Sequence, residues 1–320
     1  MWFKNLVLYR LPADWNWSAA ALEEALGRRA LRPCSAVEMS SKGWVAPSAT
    51  QRLVHTVEQQ QLIALGVDQK VLPGSIIRQE TARRAQELAD RQGFPAGRRQ
   101  LRELKLRVTE ELCARALSRQ SMIRAWIDPV GGWFVVDSSS TTRAEEVLET
   151  LRDTLGSVAV QLVDTQRTPH TSMAAWLVHE KAPAPFSLDQ DLELQSADAA
   201  KATVRYTRHP LDGKEIRTHL ASGKFPTKLG LTWRDRISFI LTEKLQLKSV
   251  AFQEMTPESA GSNAESQDID PAEQFDIDFA VMAGELGKLL ADLVETLGGP
   301  AARDGAPGTG TGSAAVSAAA

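Results

Sequence analysis

Apolar positions in the first part of the chain alternate with extended and helical periods, and the alternation divides it into short elements. Residues 3–9 (FKNLVLY) predict a strand, and 18–28 a helix capped by Asn16 or Ser18. Residues 52–57 and 61–72 are rich in Leu, Val and Ile with turn residues between them, and predict a pair of strands. After Pro73-Gly74 the pattern becomes helical over 76–92 and 98–120, interrupted by the stop signal Gly93-Phe94-Pro95-Ala96-Gly97. In the second of these helices Leu101, Leu104, Val108 and Leu112 share one stripe, while Arg98, Arg102 and Lys105 share another. Strand-like texture then resumes at 125–128 and 133–136 around Pro129-Val130-Gly131-Gly132, followed by a helix at 142–155 and a strand at 158–163. A helical hairpin set between strands of one sheet must project from it.

The Pro/Ala stretch 181–185 marks a second boundary. Beyond it the pattern predicts strands at 190–195 and 202–208, a short helix at 213–221, and paired strands at 227–241 and 245–253. Phe279, Met282, Leu286, Leu289, Leu293 and Leu297 step by three or four residues, giving a closing helix over 275–297 with one apolar stripe. The expected class is α+β, with mixed sheets, helices and a projecting helical hairpin. Residues 1–75 with 125–180 form one unit, 76–124 the finger and 181–297 a second unit; 298–320 is a low-complexity tail expected to lack structure.

Charge changes the picture. The chain total of −3 hides two cationic blocks: 78–124 carries twelve Arg/Lys against six Asp/Glu, and 201–248 eleven against four. Residues 251–320 carry two basic against twelve acidic residues. Two positive blocks point to a polyanion partner, with duplex DNA the commonest. A basic helix face can also be merely solvated, but the excess over acidic neighbours argues against that here. The candidate ligands are Arg83, Arg84, Arg98, Arg99, Arg102, Lys105, Arg115 and Arg119 from the first block. Arg208, His209, Lys214, Lys224 and Lys228 come from the second, where Thr207–Gly213 reads as an exposed loop leading into a helix N-terminus.

Other chemistry lacks its parts. Cys34 and Cys113 are far apart and in no metal-binding spacing, and the five histidines form no helical zinc pair, so neither a metal nor a cofactor is expected. No phosphate loop, dinucleotide fingerprint or nucleophile elbow is present in the sequence. Asp268, Asp270, Asp276 and Asp278 leave open a Mg²⁺-dependent nuclease, although carboxylates at this point also suit the N-terminus of the closing helix. An interaction scaffold using the acidic C-terminal region is the third alternative. The N-terminal apolar run is broken by Lys4, Asn5 and Arg10, and no run has membrane-spanning length, so a soluble, unexported, cytoplasmic chain is expected.

Several short motifs, in this order and spacing, resemble the recombination-associated RdgC family. They are Trp2-Phe3-Lys4-Asn5-Leu6, Pro33-Cys34, Gly43-Trp44-Val45, Arg115-Ala116 with Ser118-Arg119, and Trp126-Ile127-Asp128. Thr227-Lys228-Leu229 with Leu231 and Trp233, Phe275-Asp276 with Asp278-Phe279, and Gly284-Glu285-Leu286 continue the series. The resemblance implies a bacterial, nucleoid-associated α+β protein that dimerises into a ring around double-stranded DNA, with little sequence preference, and is linked to restraint of RecA-promoted strand exchange; the missing catalytic motifs make a non-enzymatic binder the expectation. The resemblance also implies that Leu117, where the family pattern has an aromatic, packs across a dimer interface at the fingertip, and that Arg208 and His209 occupy the family's gate loop. Two routes to RecA stay open at this point, direct contact and indirect exclusion through occupancy of the DNA.

Overall fold

The computed structural model describes residues 2–156, 158–199, 201–211, 213–253 and 270–301. At its centre lies β1 (Leu6–Arg10), whose LVLYR sequence is apolar on both sides of the pleat. Leu6 and Leu8 enter one core and Val7 and Tyr9 the other, because successive strand residues face opposite ways. One edge of β1 pairs with β6 (Trp133–Asp137). The other is divided between β12 (Leu247–Phe252), joined at Leu6 to Leu247, and β7 (Gln161–Leu162), joined at Tyr9 to Leu162.

Outward from β6 lie β5 (Ser118–Asp128), β4 (Gln60–Lys70) and β2 (Ser40–Val45), with β3 (His55–Val57) also on β4. Outward from β12 lie β11 (Ile237–Thr242), β10 (Lys224–Trp233), β8 (Phe186–Ser196) and β9 (Thr203–Tyr206). The strands of both expected units therefore share one sheet. Its ladders are antiparallel rather than mixed; the parallel contact among the described residues is the isolated bridge Ala30 to Trp44. Gly43 permits that bridge, because a Cβ there would lie 2.5 Å from Leu31 Cα.

Helices α1 (Ala19–Gly27) and α4 (Thr141–Leu155) cover one face of the first half of the sheet. Ser18, rather than Asn16, caps α1, its Oγ accepting from Ala21 N at 3.2 Å. The opposite face is covered by α5 (Pro169–Val178), α6 (Lys214–Ala221) and α7 (Pro271–Thr296). The predicted stripe of α7 is realised, since Phe279, Met282, Leu286, Leu289, Leu293 and Leu297 are all fully buried. It packs against Leu6, Trp126 and Trp133 as well as Leu231 and Leu247, so one helix closes the core beneath both halves. Burial of each large side chain contributes roughly 1.5–3 kcal/mol.

The projecting hairpin, α2 (Gly74–Gln92) and α3 (Arg98–Arg115), connects β4 to β5. Its second helix ends earlier than the pattern predicts: residues 118–120 are strand, paired through Ser118 to Lys70 and onward to Gln61. Cross-strand pairing overrides the helical propensity of Ala, Leu and Arg there. Arg119 is consequently a strand residue. The expected strand 227–241 is two strands, because Arg234 and Asp235 both take left-handed φ, 49° and 54°, and reverse the chain. Asp235 suits such a turn, but Arg236 follows it where the Asp-Gly hairpin signal has glycine. Strand β2 is a further element that its polar SSKGWV sequence did not announce. Of the tail expected to lack structure, 298–301 is ordered, with Gln166 N donating to Gly299 O and Ala301 N to Asp164 O; 302–320 lies outside the described residues.

Candidate nucleic-acid interface

Over the second half of the sheet, the face that carries α1 and α4 has no helix upon it among the described residues. Alternation along β10 and β11 sends Leu229, Leu231, Trp233, Phe239 and Leu241 into the α7 core. Lys228, Ile240 and Thr242 line surface cavities instead. One cavity of about 340 Å³ lies between this polar shelf and the first turn of α4, bounded by Ser139, Thr141, Lys228, Thr242, Lys244 and Lys248. Another of about 510 Å³ flanks the same turn on its far side, bounded by Lys42, Gln69, Arg119, Ser121, Arg143 and Glu146. A third, of about 330 Å³, continues along the shelf past Glu193 and Arg205 to Thr207.

Strand registers put these groups in one oblique row, with Gln69 and Arg119 further out along the strands than the level of Leu6 and Asp137. Gln69 pairs with Arg119, Leu6 pairs with both Asp137 and Leu247, Ile240 with Lys248, and Lys228 with Thr242 and Glu193. Cationic side chains from both blocks thus share one face at one end of the strands, with the positive N-terminus of α4 between them. The hairpin leaves the sheet at the same end, since Lys70 and Ser118 are its last paired residues.

Ion pairing divides the row. Lys228 donates to Glu193 at 2.9 Å, Arg205 donates to the same carboxylate at 2.6 Å, and Lys42 bonds Glu146 at 3.0 Å. Burial alone would raise the Glu193 carboxyl, but donation from Lys228, Arg205 and Thr227 outweighs it and holds the group below its ordinary range. Arg119, Arg143, Lys244 and Lys248 have no carboxylate partner among the described residues; Arg143 donates to Ser121 Oγ at 3.2 Å. Such unpaired cations beside exposed amides can hold phosphate oxygens without reading bases.

The remaining predicted residues fall into three groups. On the hairpin, Glu80 accepts from Arg83 at 2.6 Å and Arg84 at 2.7 Å, donations that hold its carboxyl down to about 2. Arg83 also pairs with Glu87, Arg99 with Glu103, and Arg84 with Glu111 at 2.7 Å, which ties α2 to α3. Arg98, Arg102, Lys105 and Arg115 are exposed, and the first three have no ion-pair partner among the described residues. In the second block, Arg208 adopts a left-handed φ of 53° and follows the shelf cavity directly. His209 N donates to Gln190 O, and its ring lies 5.4 Å from that of Tyr206. Lys214 instead opens α6, which packs on the opposite face, and Lys224 is held by His219 Nδ1 and Ser222 Oγ at 3.2 and 3.3 Å. Neither belongs to the row. Sequence reasoning missed Lys42, Arg143, Lys244 and Lys248 as ligands; Lys244 and Lys248 lay in a recognised charge block, but their facing depends on register.

Leu117 is 82% exposed, but it lies at the hairpin root rather than the fingertip, because α3 ends at Arg115 and the chain re-enters the sheet at Ser118. Val71 N donates to Leu117 O and Lys70 N to Met39 O, so exposed Val71, Leu117 and Met39 gather there. Of the acidic candidates, Asp270 caps α7 through Ala272 N, Asp276 Oδ1 lies 3.0 Å from His55 Nε2, and Asp278 accepts from Gln274. Asp268 lies outside the described residues. Among the described residues no three His, Cys, Asp or Glu side chains come together as a metal-ligand set, and no helix is long and apolar enough to cross a membrane.

A family model described as "Putative exonuclease, RdgC" matches residues 1–300. The chain belongs to the RdgC family. Among its RdgC relatives, the recombination-associated protein RdgC of Dechloromonas aromatica (strain RCB) is 48% identical over 302 residues, covering 93% of this chain and 98% of the relative. The proteins of the same name from Janthinobacterium sp. (strain Marseille) and Cupriavidus pinatubonensis (strain JMP 134 / LMG 1197) are each 44% identical over 299 residues. They match 93% of this chain and 98% and 99% of their own lengths. The RdgC match thus includes the hairpin, the shelf and the closing helix.

Proposed function

We propose that this chain acts in DNA recombination and replication as a non-enzymatic binder of double-stranded DNA with little sequence preference. The observation that carries the reading is the oblique row, in which Arg119 and Arg143 from one half of the sheet and Lys244 and Lys248 from the other line cavities on either side of the N-terminus of α4. Family membership agrees with it, because the relatives are named recombination-associated. Contacts of this kind neutralise phosphates and carry no base information.

The same reading includes a homodimer closed into a ring around the duplex, in a nucleoid-associated, cytoplasmic protein that restrains RecA-promoted strand exchange by occupying the DNA. The exposed apolar group around Leu117 supports one dimer contact. Light scattering of the full chain with linear and covalently closed duplexes tests it. A ring gives a dimer that slides from free ends and is retained on circles, whereas equal loss from both rejects encirclement. Leu117→Asp should shift the scattering mass toward the monomer with an unchanged circular dichroism spectrum.

The description of the matching family as a putative exonuclease favours one second reading, a Mg²⁺-dependent nuclease. Incubation with end-labelled duplex and Mg²⁺ separates the two. Intact duplex supports the binder; fragments that disappear with Asp276→Ala support the nuclease.

A further inference from the structure

The cavity between α4 and the shelf has features that a merely positive surface does not need. Helix α4 is fifteen residues long, yet its N-cap residue Ser140 makes no side-chain capping bond and its first turn contains no acidic residue. The Ser138 hydroxyl is turned to Ser140 O, and the first backbone bond at this end runs from Ala144 N to Ser140 O. The amides of Thr141, Thr142 and Arg143 are left at the positive end of the helix dipole. Opposite them, Gln246 lines the cavity while only 8% exposed, and its side-chain amide has no hydrogen-bond partner among the described residues. The amide is not sealed from solvent, so it is open to a group that enters this cavity. Lys244 and Lys248 bound the same space without ion-pair partners among the described residues. Two carboxylates are also present: Glu193 is engaged by Lys228 and Arg205, and Glu243 lies at the rim.

We infer that this cavity is a seat for one phosphate oxyanion, held by the first-turn amides of α4, the Gln246 amide and the ammonium groups of Lys244 and Lys248. The inference rests on the duplex-binding reading in taking the ligand to be a backbone phosphodiester. It adds that one phosphate is gripped at a fixed place in the seam between the two halves, which gives the protein a register along the groove although it reads no base.

The test uses the full chain and inorganic phosphate as probe, followed by NMR of the Thr141, Thr142 and Arg143 amides, and then a short duplex under the same conditions. Ser140→Asp supplies the missing cap from within the protein. It should raise the unfolding temperature, as an N-cap carboxylate does. It should also weaken phosphate binding at least about tenfold, the scale of one hydrogen bond to a charged group. Opposite signs in stability and affinity cannot come from a folding defect. Gln246→Leu should weaken phosphate binding with its fold intact by circular dichroism. Saturable shifts of these amides by phosphate, reproduced by duplex and reversed by phosphate competition, support the proposal. Phosphate binding that duplex does not displace assigns the seat to free phosphate and overturns the phosphodiester assignment. Amides that respond to neither ligand, or Ser140→Asp binding phosphate as well as the parent, overturn the seat itself. Duplex binding that persists through Ser140→Asp and Lys248→Gln but is lost with Arg119→Gln retains the duplex reading without the seat. A seat that binds phosphate in a chain that binds no duplex removes that reading instead.

Discussion

Replacing Arg119, Arg143, Lys244 and Lys248 together by Gln removes the row cations that have no carboxylate partner, and tests the duplex reading most directly. Each cation that neutralises a DNA phosphate contributes about −0.9 to the slope of log K against log salt, so four per protomer contribute about −3.6. Between about 50 and 200 mM salt, a slope of that size lowers affinity about 150-fold, and this part of the dependence should vanish in the variant. Lys228→Gln should change the slope less, because Lys228 must leave Glu193 at 2.9 Å before it can meet a phosphate. Arg119, Arg143 and Lys244 are exposed and Lys248 half-buried, so stability should stay within about 0.5 kcal/mol of the parent. Fluorescence anisotropy with two unrelated labelled duplexes across the salt range provides the slopes. Parallel lines for parent and variant would refute the assignment of these four groups, and a loss confined to one duplex would replace phosphate contact with base readout.

Leu286→Ala, beneath both halves of the sheet, should lose about 2–5 kcal/mol in urea unfolding, since Leu286 is fully buried. Glu80, held down to about 2 chiefly by Arg83 and then by Arg84, contributes stability that is complete above the ordinary carboxylate range and is lost as pH falls toward 2. Protection factors in α2, referred to the intrinsic exchange rate at each pH, should therefore fall on acidification, and Glu80→Gln should show no such fall. Tyr9, one of two tyrosines, is pushed up to about 12, first by burial and then by Glu145 against Arg152. Neutral Tyr9 favours the fold, so stability falls as pH rises from the ordinary value near 10 toward 12. Tyr9→Phe should reduce that alkaline loss in unfolding curves.

Elements with their own periodic signal were legible in the sequence. The α7 stripe and the helical hairpin with its Gly-Pro-Gly break needed only local chemistry. What stayed hidden depends on partners distant in sequence or on weak local signals: Ser118–Gln120 becomes strand only because β4 is beside it, and Trp233–Ile237 turns on Arg234 and Asp235 with no glycine to mark the reversal. The candidate site was half legible for the same reason. Charge blocks named Arg119 and Lys228, but assembling them with Arg143 and Lys248 requires the register through β1 and β12. Sequence likewise does not distinguish a cation that a glutamate already occupies, such as Arg84 or Lys228, from one that is available.

The position of β1 has a consequence for biogenesis. The strand made first stands between strands made near residue 135 and near residue 250, and is sealed below by α7. A nascent chain can zip β1 onto β6 early, yet its second edge waits, uncovered, for segments that leave the ribosome much later. Long-range closure of this kind is slow, and an open edge invites mispairing while it lasts. Chains cut short before residue 247 should therefore aggregate and fail to hold anions, because a groove whose two banks lie so far apart along the polypeptide comes into being only when translation is nearly complete.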